Sequence, residues 1–392
     1  MVGRPGRSAA DPASQLMRTD YQIEFRMDYD LEKVARDWQA LERSACASFF
    51  LSWTWMSTWL ESLAAPPILA CVSSAGRIVA MGFVARADAR RHLVVTSRQI
   101  HLHQSGNPDL DRITTEFNGL LVQAGHEDTV VPLFLRSLGS LAPAWDECVL
   151  PGVPEGFAAF GMHAGYRVVE DHRAADFFID LRDMGPQDLT ARLSHNGRSQ
   201  LRRALKLAAA DGPLALDAAV TPSEGLDYFE KLKSLDRRRE NGAFAGPARE
   251  AFHRRLIAKG MPSGQVELLR ARAGAKVIGY LYQFVHLGRV LAYQASYAAP
   301  ADNRHRPGLV MHYLAIERAK RSDRSVYDFL AGESRYKRAL GQPGPVLLWL
   351  RLQQPRSRFA LEGAARQIKS AINAMMPQAC APRRGPLCPP PA

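Results

Sequence analysis

The sequence predicts an α/β fold: a mixed, mostly antiparallel central sheet flanked by helices, present as two tandem modules. Three observations carry this. Two β-rich meanders share one design, each is followed by a helical pattern and a further strand, and 392 residues exceed one ordinary core. The meanders are "PILACVSSAGRIVAMGFVARADARRHLVVTSRQI" (67–100) and "QVELLRARAGAKVIGYLYQFVHLGRVLAYQASY" (265–297). Each reads as a β-rich run, an Ala-Gly turn, a second run with one glycine, a polar turn and a third run. Ala75-Gly76-Arg77 and Ala273-Gly274-Ala275 hold the same place, 198 residues apart. Helical patterns follow at 125–139 and 308–321, and strands at 145–150 and 325–330.

Taken in chain order, residues 1–19 are expected to be a disordered tail, since "MVGRPGRSAADPASQL" lacks the apolar run of a secretory signal. The first module is expected over 20–183. Its longest apolar stretch, "FFLSWTWMSTWL" (49–60), is too short to span a bilayer. A basic linker helix is expected over 184–212. Leu189, Leu193, Leu201 and Leu205 share one face there, and Arg198, Arg202 and Lys206 another. The second module is expected over 213–355. Residues 356–392 read as a C-terminal helix and a Pro-rich tail, the helix pairing Phe359, Ile368, Ile372 and Met375 with arginines. Such a helix suits either packing on the second module or peripheral contact with a membrane surface.

Hydrophobic content of 46% and charged content of 23% are those of a soluble globular protein. The five cysteines (Cys46, Cys71, Cys148, Cys380, Cys388) are scattered, with no Cys-x-x-Cys. That pattern argues for reduced thiols, a cytoplasmic compartment or the inner membrane face, and against a zinc site. Net charge is +12, with 42 arginines against 9 lysines. Arginine's forked donors suit a phosphate-bearing partner, although the same richness also fits a solvated surface.

Two junctions in the second module could carry chemistry. In "YQASYAAPADNRHRPGLVMHYLAIERAKR" (293–321), Arg304, Arg306, Pro307 and Gly308 open a helix, with Leu309 and Val310 in its first turn. Proline is preorganised for a first helical position, and glycine lets backbone approach a ligand. The free N–H groups of a helix start attract phosphate oxygens. One strand later, "SVYDFLAGESRYKRALG" (325–341) runs from a β-rich segment through Gly332 into a short helix bearing Tyr336 and Lys337. Tyrosine can protonate a departing thiolate, and lysine can stabilise an oxyanion. Asp328 and Glu333 are the nearest acceptors for a proton from an attacking amine.

These residues together resemble the GNAT superfamily, and more closely its CelD/BioF-like acetyltransferase branch, related to the Fem-type tandem-GNAT aminoacyltransferases. Asp328, Gly332, Glu333, Tyr336 and Lys337 match that branch's signature. The basic linker and the aromatic segment at 49–63 resemble its linker helix and opening segment. The general GNAT cradle, Arg/Gln-x-x-Gly-x-Gly/Ala, is replaced here by Arg304 with Pro307 and Gly308 at that spacing. The resemblance implies acyl-CoA or acetyl-CoA as co-substrate, no metal, and an amine acceptor from the cell envelope, a surface polysaccharide or a lipid precursor.

The first module lacks the Pro-Gly element. His101 and His103 share a strand face there with no third ligand at suitable spacing. Glu116 and Asn118 suit either acceptor binding or the capping of the next helix. With Tyr293 and Gln294 of the second meander, they are assigned to the acceptor side. The leading expectation is an N-acyltransferase, the amine attacking directly. Fem-type aminoacyl transfer from charged tRNA and a non-catalytic ligand-binding protein of the same fold are the alternatives.

Overall fold

In a computed structural model, the chain is described over residues 21–357 and 359, apart from 92–94, 183, 185–188, 237–241 and 300–301. The expected tail at 1–19, and the expected C-terminal helix and tail beyond 359, lie outside these residues.

Thirteen strands among the described residues form one sheet. The first half supplies β1 (Tyr21–Arg26), β2 (Ile68–Ser74), β3 (Arg77–Arg91), β4 (Val95–Leu102), the short β5 (Leu121–Val122), β6 (Glu147–Pro154) and β7 (Arg167–Asp180). The second half supplies β8 (Leu214–Ala218), β9 (Val266–Ala273), β10 (Lys276–His286), β11 (Arg289–Tyr297), β12 (Val326–Asp328) and β13 (Gln342–Gln353). Helices α1 (Leu31–Glu42) and α2 (Trp53–Leu60) lie between β1 and β2. Helix α3 (Glu127–Ser137) leads to β6, and α4 (Gly156–His163) follows it. Helices α5 (Leu189–Arg192) and α6 (His195–Ala208) join the halves. Then α7 (Pro222–Leu235) and α8 (Pro247–Gly260) precede β9, α9 (Pro307–Arg321) leads from β11 to β12, and α10 (Arg335–Leu340) follows.

The two halves repeat one topology. In each, three antiparallel pairings (β1-β2-β3-β4 and β8-β9-β10-β11) lead to one parallel pairing, β4 with β6 and β11 with β12. Ala75 and Gly76, with φ of 49° and 73°, form the two-residue turn of the first meander, a geometry whose twist suits a hairpin. The halves also exchange strands. The sheet order runs β1-β2-β3-β4-β6-β13-β7-β12-β11-β10-β9-β8, so β13 pairs with both β6 and β7, and β7 pairs with β12.

One apolar core crosses the boundary between halves. Phe49 stacks on Phe284 with ring centroids 4.4 Å apart, and Trp55 meets Phe252 at 4.9 Å. The stretch at 49–60 is thus core rather than surface.

The linker differs from the single helix expected from its periodicity. Ser194 is extended, and its hydroxyl accepts the Gly197 N–H, so α5 stops and α6 starts afresh. Arg198 donates to the carbonyls of Thr190, Ala191 and Leu193 and closes the break. Leu189, Leu193 and Leu201 are buried as their spacing requires, whereas Arg202 and Lys206 are exposed.

Candidate acyl-transfer site

The parallel pair β11–β12 holds only over Arg289–Leu291 and Val326–Asp328. Beyond these residues the strands part, and a cleft of about 930 Å³ opens between Ala292–Tyr297 and Phe329–Ala331. Two helix starts face it. The first is that of α9, where Arg306 takes a left-handed φ of 41° and Pro307 begins the helix. A Cβ on Gly308 would stand 3.1 Å from the Tyr297 ring, so glycine is what lets the helix start sit against that strand. The second is that of α6, which contributes Ser194, Asn196, Gly197 and Gln200. Arg306 donates to Gln200 Oε1 at 2.9 Å and ties the two starts together. The two helix starts, with Arg306 and Arg335, make an electropositive wall suited to phosphate.

The cleft is also lined by Tyr336, Lys337 and, from the first half, Glu116. Tyr336 stacks on His312 with centroids 4.8 Å apart, and burial raises its hydroxyl's pKa. His312 is held neutral, pushed down to about 3 by burial and then by Lys337. Lys337 is buried and donates to the carbonyls of Leu330 at 2.9 Å and Ala331 at 2.8 Å, using two of its three donors. Burial lowers its pKa, against the pull of Glu116, Asp176 and Asp328.

Glu116 is buried and accepts the Ala331 N–H at 2.6 Å. Burial pushes it up to about 7, against the Ala331 bond and Lys337. Two non-glycine residues with left-handed backbone flank this contact: Phe117 (φ 51°) after Glu116 and Leu330 (φ 63°) before Ala331. Strain of this kind, about 1–3 kcal/mol per residue, persists where surrounding structure enforces it and clusters at functional sites.

The other expected site residues divide clearly. Arg306, Pro307, Gly308, Leu309, Tyr293 and Gln294 line the cleft. Arg304 is exposed and paired with Asp302, away from the cleft lining, and Val310 is turned into the core. Asp328 is wholly buried, bound to Arg289 at 2.6 Å and to the Leu330 N–H, and so braces the strand exit rather than facing an acceptor. Glu333 is 65% exposed beside Arg338, outside the cleft lining. Asn118 spends its amide on Leu102 O, His103 Nδ1 and Gly119 N, and lies on the far side of the 115–119 segment from Glu116. His103 accepts the Phe83 N–H at Nε2, so its Nδ1 carries the proton given to Asn118. No group of three or more metal-ligating side chains occurs among the described residues.

Two features escaped the sequence reading. The α6 start carries a visible signal, serine before a helix with glycine at the third position, but nothing local says which cleft it faces. Asp176 on β7 is wholly buried, and neither carboxylate oxygen finds a hydrogen-bond partner. Burial, then the neighbouring Asp328, pushes it up to about 9.

The first half has the same parting of strands, since β4 and β6 pair only over Gln99–His101 and Glu147–Val149. There the gap is filled by the chain itself. Asn118 N donates to Gly152 O at 2.9 Å, and a Cβ on Gly152 would stand 2.5 Å from Thr115 O. The filling segment is the one that sends Glu116 into the second half's cleft.

Residues 195–338 match the profile of the acetyltransferase (GNAT) domain family. The matched region contains α6, the α9 start, Tyr336 and Lys337, while Glu116 lies outside it. Over most of the chain, the fold is shared with FemX, at 10% identity and a TM-score of 0.55, covering 86% of this chain and 99% of that one. It is also shared with the C-terminal domain (DUF2156) of a protein described as a lysylphosphatidylglycerol synthetase from Agrobacterium fabrum. That match has 10% identity and a TM-score of 0.50, covering 88% of this chain and 96% of that one. No curated protein matches the chain by sequence. The whole is a mixed α/β fold whose two halves repeat one topology, and no helix among the described residues is long and apolar enough to cross a membrane.

Proposed function

We propose that this protein is an N-acyltransferase that moves an acyl group from a coenzyme A thioester to an amine. The observation that carries this reading is the meeting of Glu116 with the α9 start, Tyr336 and Lys337 in one cleft. The helix starts of α9 and α6, with Arg306, would hold the donor's phosphates. Glu116, poised near neutrality, takes a proton from the incoming ammonium so that the nitrogen can attack the thioester carbonyl. The remaining donor of Lys337 would stabilise the charge that develops on the carbonyl oxygen. As the C–S bond breaks, the Tyr336 hydroxyl gives its proton to sulfur, and the resulting phenolate takes the second proton from the nitrogen, leaving an amide and a free thiol.

Calorimetric titration with CoA, acetyl-CoA and a long-chain acyl-CoA tests the donor. Binding that is lost in Gly308→Trp, with thermal unfolding showing the variant folded, supports the reading; no binding by any of the three sinks it.

Aminoacyl transfer from charged tRNA, implied by the Fem-type resemblance, is a second reading. It is favoured by Arg202, Arg203 and Lys206, exposed along the helix whose first turn lines the cleft. Steeply salt-dependent tRNA binding would select it.

A further inference from the structure

A second chamber of about 670 Å³ lies on the other side of the 115–119 segment. That volume is within the range of small-molecule sites, about 300–1,000 Å³. Its walls come from both halves and are mainly apolar, with Phe49, Leu51, Leu120, Val131, Phe157 and Leu291 among them. It adjoins the reacting centre through consecutive residues: Glu116 faces the donor cleft, while Phe117 and Asn118 face the chamber. At its rim Leu287 is 62% exposed and takes a left-handed φ of 46°, an apolar lip on the β10–β11 turn.

We propose that this chamber binds the hydrocarbon part of the acceptor, so that the acceptor is an amine carrying an alkyl or aryl-alkyl tail. The inference rests on the acyl-transfer reading for the role of the amine. Charge around the chamber selects the head group. The charged side chains on its described walls are Glu127, Asp128 and Arg289, and the guanidinium of Arg289 is engaged by Asp328 at 2.6 Å. His286, also on the wall, is kept neutral by burial, which pushes it down to about 4. Two exposed carboxylates and an engaged cation accept an ammonium and oppose a fatty carboxylate.

The test is calorimetric titration of the full chain with n-octylamine, n-butylamine and octanoate, alongside Leu287→Asn and Val131→Trp. Four additional buried methylenes should tighten octylamine at least tenfold over butylamine. Octanoate should bind at least tenfold more weakly than octylamine. Leu287→Asn, at an exposed position and without added charge, should weaken octylamine about tenfold and leave CoA binding unchanged. Val131→Trp, checked by thermal unfolding, should block octylamine by filling the chamber.

Octylamine no tighter than butylamine would overturn the proposal, as would octanoate matching octylamine or octylamine binding untouched by both variants. Titration with CoA reads the transferase hypothesis separately. Octylamine binding that obeys these rules without any CoA binding would support the chamber as an alkylamine site and reject only the donor assignment.

Discussion

Glu116 and Ala331 are 215 positions apart in sequence, yet the carboxylate of one accepts the backbone N–H of the other at 2.6 Å. The bond fastens the first half of the chain to the strand exit of the second, at the place where Lys337 also holds the Leu330 and Ala331 carbonyls. Two side chains thus clamp one turn of backbone from opposite sides.

Glu116→Gln keeps an oxygen that can accept the Ala331 N–H but removes the proton acceptor. We expect stability to change little and kcat/KM to fall about 10²–10³-fold, within the usual range for a general base. Glu116 must be ionised to act, and it is held near 7, so wild-type activity should decline as pH drops below about 7. The variant's residual rate should lack that acidic limb. A pH–rate profile in which both proteins keep the same limb would remove Glu116 from the base role.

Lys337→Ala leaves the Leu330 and Ala331 carbonyls unpaired and withdraws the cation facing Glu116, Asp176 and Asp328. Urea denaturation should show a loss of about 2–4 kcal/mol. Because Lys337 helps keep Glu116 ionised, the acidic limb of any remaining activity should move to higher pH. An unchanged limb would show that the two groups do not interact.

Gly152→Val lies outside the donor cleft and tests the plug. Gly152 has φ 60°, and a Cβ there would press on Thr115 O at 2.5 Å. The 115–119 segment should shift and carry Glu116 with it, lowering kcat about 10²-fold, as a misplacement of about 1 Å can. CoA affinity should be retained, because α6 and α9 are untouched. Loss of both together would mean that the substitution unfolds more than the plug.

Asp176→Asn addresses pH-dependent stability. In the unfolded chain this carboxyl releases its proton in the ordinary aspartate range near 3.8, and in the fold near 9. The folded state therefore binds more protons between those values. The group's contribution is greatest below about 4 and declines as pH rises towards 9. An amide stays neutral, so the melting temperature of the variant minus that of the wild type should increase from pH 5 to pH 9. A difference that stays constant across that range would mean that Asp176 ionises normally.

The meanders were legible because alternation and turn residues are local properties, as the two-residue turn at Ala75 and Gly76 shows. The α9 start was legible because Pro307 and Gly308 announce it. The break at Ser194 was not read, since the leucine period runs unbroken through it and only a serine hydroxyl interrupts the helix. Nor could period-2 alternation reveal which strand β13 would lie beside, because alternation specifies faces and not neighbours. Of the acidic residues in the "DFLAGES" segment, proximity in sequence favoured Asp328 and Glu333. The carboxylate that enters the cleft comes instead from the other half, through a loop whose path depends on Gly152 and Asn118.

The placement of β13 between β6 and β7 has a consequence for how the protein is made. Residues 342–353 complete a sheet begun at residue 21. A nascent chain therefore cannot finish its first half until the strand from the second has left the ribosome. Such distant pairings are slow to form and leave sheet edges bare in the meantime. Neither half is a free-standing unit that could be shuffled by gene fusion. Cut between them, each would lose a neighbour for its central strands, and the cleft would lose its carboxylate in the same stroke.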